Sequence, residues 1–399
     1  MKTKYFFKAG YICATAIFLT SPAFSASVRD FGALGDGIVD DTASIQNAIN
    51  KITSGVLIFP SGKYKLRSSL NLKSGVTYQA QGSVTLLGNG YFWIMQTGYS
   101  ASNQTITGFT FDNGGILAQG TVTNLKIIAN TFQNLTSDNQ RGNWTLGSAI
   151  FSENGLKNSK ISQNTFKNLM IGGTTRPDGT IGSIDKSNNQ GIMIYGMDNT
   201  SIDHNTFDRV GEGMHLCFSN PWPSSNVYIG YNKFTKIHRM GMEIQGAMGC
   251  GASEPARSGP NTTNMIIEQN SIVDFNDAYW WSYGISLANP APDGGDHAIV
   301  RNNYIVGSTP VNSDIPGYGI EAAGSNLEVY GNTLAGYWKE AIVIDYSPNA
   351  KIHDNFTCGM AAGAFVKIAP ETRESPNAQY YSNTINAEYC PSNIPNPLQ

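Results

Sequence analysis

The sequence predicts an all-β chain, a single-stranded right-handed parallel β-helix with an N-terminal capping helix. Three observations predict it. Asparagine recurs at i and i+6 around a short apolar strand, unit after unit. A second strand in each unit opens on a small residue and then alternates apolar positions. The composition is poor in charge (14%) and holds 43 glycines, which suits many short strands and turns.

In chain order, the first segment sets the expected compartment. Lys2, Lys4 and Lys8 form a positive stretch, Tyr11 to Leu19 is a short apolar run, and small residues lead to Ser25. That pattern reads as a secretory signal peptide cut after Ser25, because the apolar run is too short to span a bilayer. The expected organisation is a signal peptide over 1–25 and one β-helix domain over 26–399. Within that domain a cap segment covers 26–66, coils cover 67–390, and a tail covers 391–399. The expected location is secreted or periplasmic, with no membrane insertion. Cys13 leaves with the signal, and Cys217, Cys250, Cys358 and Cys390 remain. An even number in an exported chain fits two disulfides, and sequence order favours Cys217–Cys250 and Cys358–Cys390. Four buried free thiols are the alternative.

The cap segment runs from Val28 to Thr42 into a helix pattern with Ile45, Ala48, Ile49 and Ile52 on one face. Asp40 or Asp41 is a natural N-cap. Val56–Pro60, a Ser-Gly turn and Tyr64–Leu66 follow. A helix here would cover the open apolar end of a solenoid. Asp36, Asp40 and Asp41 therefore read as turn and capping groups.

The coils carry the asparagine pairs. These are Asn124/Asn130, Asn158/Asn164, Asn199/Asn205, Asn226/Asn232, Asn264/Asn270, Asp296/Asn302, Asn326/Asn332, Asn349/Asn355 and Asn377/Asn383. An apolar residue usually lies two positions beyond the second Asn, as at Phe132, Phe166, Phe207, Phe234, Ile272 and Leu334. The following strands open at Gly191, Gly213, Gly241, Gly284, Gly319 and Ala341. The interval between successive second asparagines varies from 23 to 41 residues, so insertions sit in turns. Each unit has one apolar side and cannot bury it alone, whereas stacking makes a continuous core. Asparagine in a tight bend can bond the backbone and the asparagine of the next coil. A β-propeller would show a steadier period. An antiparallel sandwich would not repeat one turn residue nine times.

The opening Asp30-Phe-Gly-Ala-Leu-Gly-Asp-Gly, followed by Asp40-Asp-Thr, Ile45-Gln and Ala48-Ile49, resembles the start of the pectate-lyase-like β-helix superfamily. That group holds polysaccharide lyases, polygalacturonase-related glycoside hydrolases, alginate epimerase modules and tailspike-type depolymerases. The resemblance implies a polysaccharide ligand. The polygalacturonase signatures are not matched, since Asp40-Asp41 lies in the cap segment without its companions. The epimerase pattern is half echoed by Tyr195-Gly-Met-Asp198, with Thr200 where that pattern has histidine.

Alternation along the glycine-led strand places its second and fourth positions inward. The third positions, Met193, His215, Glu243, Ser286, Glu321 and Val343, then face solvent. So do the fifth positions, which include Tyr195, Cys217, Gln245 and Asp345. Long insertions bracket this stripe and carry Trp222, Trp280, Trp281 and Tyr283. Aromatic rings suit the C–H faces of sugars, although loop packing would also use them. Stacked coils lie about 4.8 Å apart, which puts Glu243 and Glu321 about 9–10 Å apart. An inverting glycosidase holds its carboxyls about 6.5–9.5 Å apart. Glu243 as acid and Glu321 as base fit that, with Asp345 able to replace either. Surface ion pairing is the competing account of these carboxylates.

A lyase would read the same region with His215 as base and Arg239 or Arg209 neutralising a uronate. An adhesin would use the surface without chemistry. Net charge of −3 gives no basic footprint for nucleic acid. His204, His215, His238, His297 and His353 are not spaced as a local metal-ligand set. Loop carboxylates would suit calcium, yet nothing specifies it, so no cofactor is expected. Nothing in the sequence sets an oligomeric state.

Overall fold

The computed structural model describes residues 25–90, 92–135, 147–169, 189–218, 222–246, 262–275, 282–288, 297–307, 317–336, 340–345, 347–358, 366–368 and 375–386. The signal segment and the 391–399 tail lie outside these residues. Thirty-four strands among the described residues join one long sheet, and the strand pairings are parallel, coil to next coil. This is a parallel β-helix. No helix among the described residues is long and apolar enough to cross a membrane.

Three strand columns make up each turn of the solenoid. One holds Lys160–Ser162, Ile299–Arg301 and Lys351–His353. The second holds Thr165–Lys167, Thr333–Gly336 and Phe356–Cys358. The third, which carries the candidate site, holds Gln190–Tyr195, Ser282–Ala288, Gly317–Ala323 and Glu340–Asp345.

Asparagines form two ladders, one just before the first column and one at the bend between the first and second columns. The second asparagine of each pair is buried. Asn232 donates from Nδ2 to the Ile202 carbonyl at 2.9 Å and to Asn270 Oδ1 at 3.0 Å, while its own Oδ1 accepts from Asn205. The pattern continues through Asn303, Asn332, Asn355 and Asn383. The first asparagine adopts the left-handed conformation, as at Asn158 and Asn199, and bonds its exposed neighbour one coil away. Asn and Asp tolerate that conformation better than other residues with a Cβ.

One expected pair is corrected. The coil after Asn270 uses His297 and Asn303, in place of Asp296 and Asn302. Asp296 lies outside the described residues, and Asn302 is exposed at φ 54°. The apolar pattern decides between them. Val300 and Ile305 are fully buried in this register, and a slip of one residue would turn both outward.

Inside, Phe111, Phe132, Phe166, Phe207 and Phe234 stack in one column at centroid spacings of 4.8, 5.1, 4.6 and 4.5 Å. Glycine opens the third column for a steric reason. A Cβ on Gly213 would lie 2.4 Å from the Gly241 carbonyl oxygen and 2.5 Å from Phe234.

Helix α1 spans Thr42–Lys51 and buries Ile45, Ala48 and Ile49 in the core cluster of the coils. Asp41 occupies the N-cap position, but its carboxylate accepts from the Leu34 and Gly35 amides instead of the helix. Asp40 serves the helix start, accepting from the Thr42 amide and hydroxyl. Cys217 and Cys358 are disulfide-bonded, while Cys250 and Cys390 lie outside the described residues.

Candidate active site

The third positions of the glycine-led strands align as the periodicity predicts. Met193 pairs with His215, His215 with Glu243, Glu243 with Ser286, Ser286 with Glu321, and Glu321 with Val343. They point away from the solenoid interior. Their expected exposure is corrected, because His215 and Glu243 are only 8% and 3% exposed. Alternation tells inside from outside of the solenoid, but it says nothing of what covers the outside. At the fifth positions Cys217 is fully buried and Tyr195 half-buried.

Glu212, which the strand reading missed, completes a charged cluster. It immediately precedes Gly213, and it is fully buried. His215 Nδ1 lies 3.4 Å from Glu212 Oε1 and 3.4 Å from Glu243 Oε2. Arg239 Nη2 is 3.9 Å from Glu243 Oε1, which Gln245 Nε2 also approaches. Ser148 donates to Gln190 Oε1 at 2.7 Å, and Gln190 Nε2 reaches Glu212 Oε2 at 3.4 Å. The residues before the glycines form a second outward column of Gln190, Glu212, Met240, Tyr283, Tyr318 and Glu340. Reading one residue earlier in each strand would have found it.

The cluster splits its ionisations. Burial and the neighbouring Glu243 charge push the Glu212 carboxyl up to about 7. Burial opposes charge on His215, but the two carboxylates outweigh it and raise the imidazole to about 10. Burial opposes charge on Glu243 as well, yet His215 and Arg239 hold its carboxyl far below the usual range. The ligand atoms of Glu212, His215 and Glu243 lie within 4.8 Å of one another, the spacing of a possible cation set. The imidazolium and the Arg239 guanidinium already balance the two carboxylates there.

Glu321 stands two coils from Glu243, and its Oε2 accepts from Ser286 Oγ at 2.5 Å. Tyr283 and Tyr318 stack beside the carboxylates at 4.9 Å, and burial raises both phenols. Trp222 tilts against Tyr195 at 4.7 Å. Arg209 is not brought to the cluster. It is exposed at φ 55°, with Nη2 2.7 Å from Asp208. The Asp345 backbone pairs with Ala323, but its side chain, like Trp280 and Trp281, lies outside the described residues.

A parallel solenoid with an outward file of ionisable and aromatic side chains defines a class, the pectate-lyase-like β-helix proteins. The chain belongs to the rhamnogalacturonase A/epimerase, pectate lyase-like family, whose profile it matches over residues 25–245, and that family is polysaccharide-active. It is 26% identical to plasmin and fibronectin-binding protein A of Streptococcus pneumoniae over 45% of this chain and 24% of that protein. It is 38% identical to the mannuronan C5-epimerase AlgE4 of Azotobacter vinelandii over 21% of this chain and 15% of the epimerase. The chain thus spans a quarter or less of these curated relatives. The tailspike protein of E. coli bacteriophage HK620, solved with a pentasaccharide, shares the fold at a TM-score of 0.60 and 15% identity. That match covers 90% of this chain and 66% of the tailspike.

Proposed function

We propose that the chain is an exported glycoside hydrolase that cleaves a polysaccharide laid along the Glu243–Glu321 face. The observation that carries the reading is the register of Glu243, Ser286 and Glu321, which sets two carboxyls two coils apart. At about 4.8 Å per coil they stand about 9–10 Å apart, near the separation that leaves room for a water. The neighbours of Glu243 reverse the roles expected from sequence. Of the two carboxyls, Glu243 is the one that His215 and Arg239 hold ionised, so within the pair the base role falls to it and the acid role to Glu321. Glu321, bonded by the Ser286 hydroxyl, then protonates the glycosidic oxygen as water attacks the anomeric carbon. Tyr283 and Tyr318, both buried, stack on each other beside this face.

His215 is a poor base for β-elimination, because between two carboxylates it stays protonated at neutral pH. Arg239 is engaged with Glu243, not free for a uronate. Bonded sulfurs at Cys217 and Cys358 accord with an oxidising compartment after cleavage near Ser25.

The test is a polysaccharide panel read for new reducing ends and for unsaturated-uronate absorbance. Glu243→Gln and Glu321→Gln should each lower kcat by about 10²–10⁴. Circular dichroism should show both variants still folded. Cleavage with new absorbance would replace hydrolysis by elimination. Tight binding without cleavage would make the chain an adhesin.

A further inference from the structure

Glu212, His215 and Glu243 are each more than nine-tenths buried, with exposures of 0%, 8% and 3%. Each carboxylate has one oxygen held. Glu212 Oε2 accepts from Gln190 Nε2 at 3.4 Å, and Gln190 is itself fixed by Ser148 Oγ at 2.7 Å. Glu243 Oε1 meets Gln245 Nε2 and the Arg239 guanidinium. The other oxygens, Glu212 Oε1 and Glu243 Oε2, make no hydrogen bond among the described residues, and neither does His215 Nδ1. Those three bare atoms are the ones that face one another.

Their spacing is too wide for hydrogen bonds and fits a metal. Nδ1 lies 3.4 Å from each oxygen. A charge-assisted N–H···O contact closes to about 2.7–2.9 Å. Two ligand atoms on a tetrahedral zinc ion, each about 2.0–2.1 Å from the metal, stand about 3.3 Å apart. Glu212 and His215 come from one coil and Glu243 from the next, so the spacing of histidines in the sequence does not show the set. Gln190, Gln245 and Arg239 hold the far oxygens, the kind of outer support that orients metal ligands. Imidazole with carboxylate suits zinc, whereas calcium takes six or more oxygens and magnesium a near-octahedral oxygen shell.

We propose that Glu212 Oε1, His215 Nδ1 and Glu243 Oε2 form a zinc site, with water at the fourth position. The ion takes the place of the proton on His215, since a ligating imidazole is neutral. Its two charges then balance the two carboxylates. Arg239 does not obstruct it, because Nη2 approaches the far oxygen of Glu243 at 3.9 Å. A Glu243 that ligates zinc no longer serves as a base, so zinc switches off the hydrolysis proposed above. Zinc binding stands apart from that reading, and only the switching rests on it.

The test titrates the chelator-treated full chain with zinc chloride at pH 7 by calorimetry. One equivalent should bind, and the melting temperature should rise with zinc but not with equal calcium or magnesium. Cobalt chloride in its place should give the intense visible absorption of a four-coordinate ion. His215→Gln should weaken zinc about 100-fold or more, and Gln190→Ala, which removes outer support alone, about 10–100-fold. Circular dichroism checks that each variant folds, and Gln190→Ala keeps the test decisive if His215→Gln does not. No zinc binding by the wild type, unchanged affinity in either folded variant, or a six-coordinate cobalt spectrum would overturn the proposal. Undiminished cleavage by the zinc-saturated chain would overturn the switching. If zinc binds as expected but the zinc-free chain cleaves no polymer, the hydrolase reading falls and the zinc site stands.

Discussion

His215 holds its Nδ1 3.4 Å from a carboxylate oxygen of both Glu212 and Glu243, in surroundings where an unpaired carboxylate is costly. Removing the imidazole leaves two buried acids with Arg239 beside one of them. His215→Gln should therefore cost about 3–5 kcal/mol of stability at pH 6.5, read from urea denaturation. The pH dependence has a definite sign. The folded imidazole titrates at about 10 against an ordinary 6.5, so its contribution is complete below 6.5 and lost as pH rises toward 10. Glu212, raised to about 7, acts in the same direction from 4.5 upward. The melting temperature should fall between pH 6.5 and 10, and His215→Gln should flatten that limb. A wild-type profile that is flat there would contradict the ion-pair geometry. His215, Glu243 and Glu321 were legible as one outward file because period-two alternation is strict. Glu212 was not, because the strand was read from its glycine onward. Its approach to His215 goes with a register shift between Val210 and Glu212 that residue spacing does not reveal.

At the scale of the strand and bend, the two asparagine ladders look alike in sequence and differ in worth. Asn232 is fully buried and serves Ile202, Asn205 and Asn270 at once. Asn232→Ala orphans several buried groups at about 1–3 kcal/mol each, so a loss of about 2–5 kcal/mol is expected. Asn264 is exposed at φ 56° and bonds Asn226 at 3.3 Å. Asn264→Gly keeps that conformation accessible and should stay within about 0.5 kcal/mol of wild type. Denaturant midpoints of the two variants check the contrast, and equal losses would refute it. The spacing of six residues was readable because both ladders obey it. The slip at Asn302 arose because Asn302-Asn303 satisfies the spacing twice, and only the inward demand of Val300 and Ile305 separates the choices.

Across the whole molecule, stability is a sum of coil–coil contacts, so an end coil has neighbours on one side and opens first. The coil at Gln379–Tyr381 is the last among the described residues, and a stack ties it to the two coils before it. Tyr330, His353 and Tyr381 occupy one register column with ring spacings of 5.0 and 4.7 Å. His353 also meets Glu328 through Nε2 at 3.0 Å and Asp354 through Nδ1 at 2.7 Å. Burial disfavours its charge, but those two carboxylates outweigh burial and raise its pKa above 6.5. The same ring stacks on Tyr330 and on Tyr381. Its contribution is therefore complete below pH 6.5 and lost as pH rises through the folded value. Hydrogen exchange, corrected for its intrinsic pH dependence, should show the amides of 379–386 losing protection across that range while those of the Phe132–Phe234 coils keep theirs. His353→Gln should abolish the difference between low and high pH at that end alone. Equal loss in the central coils would mean that the solenoid opens as one unit, and the end stack would then have no separate role.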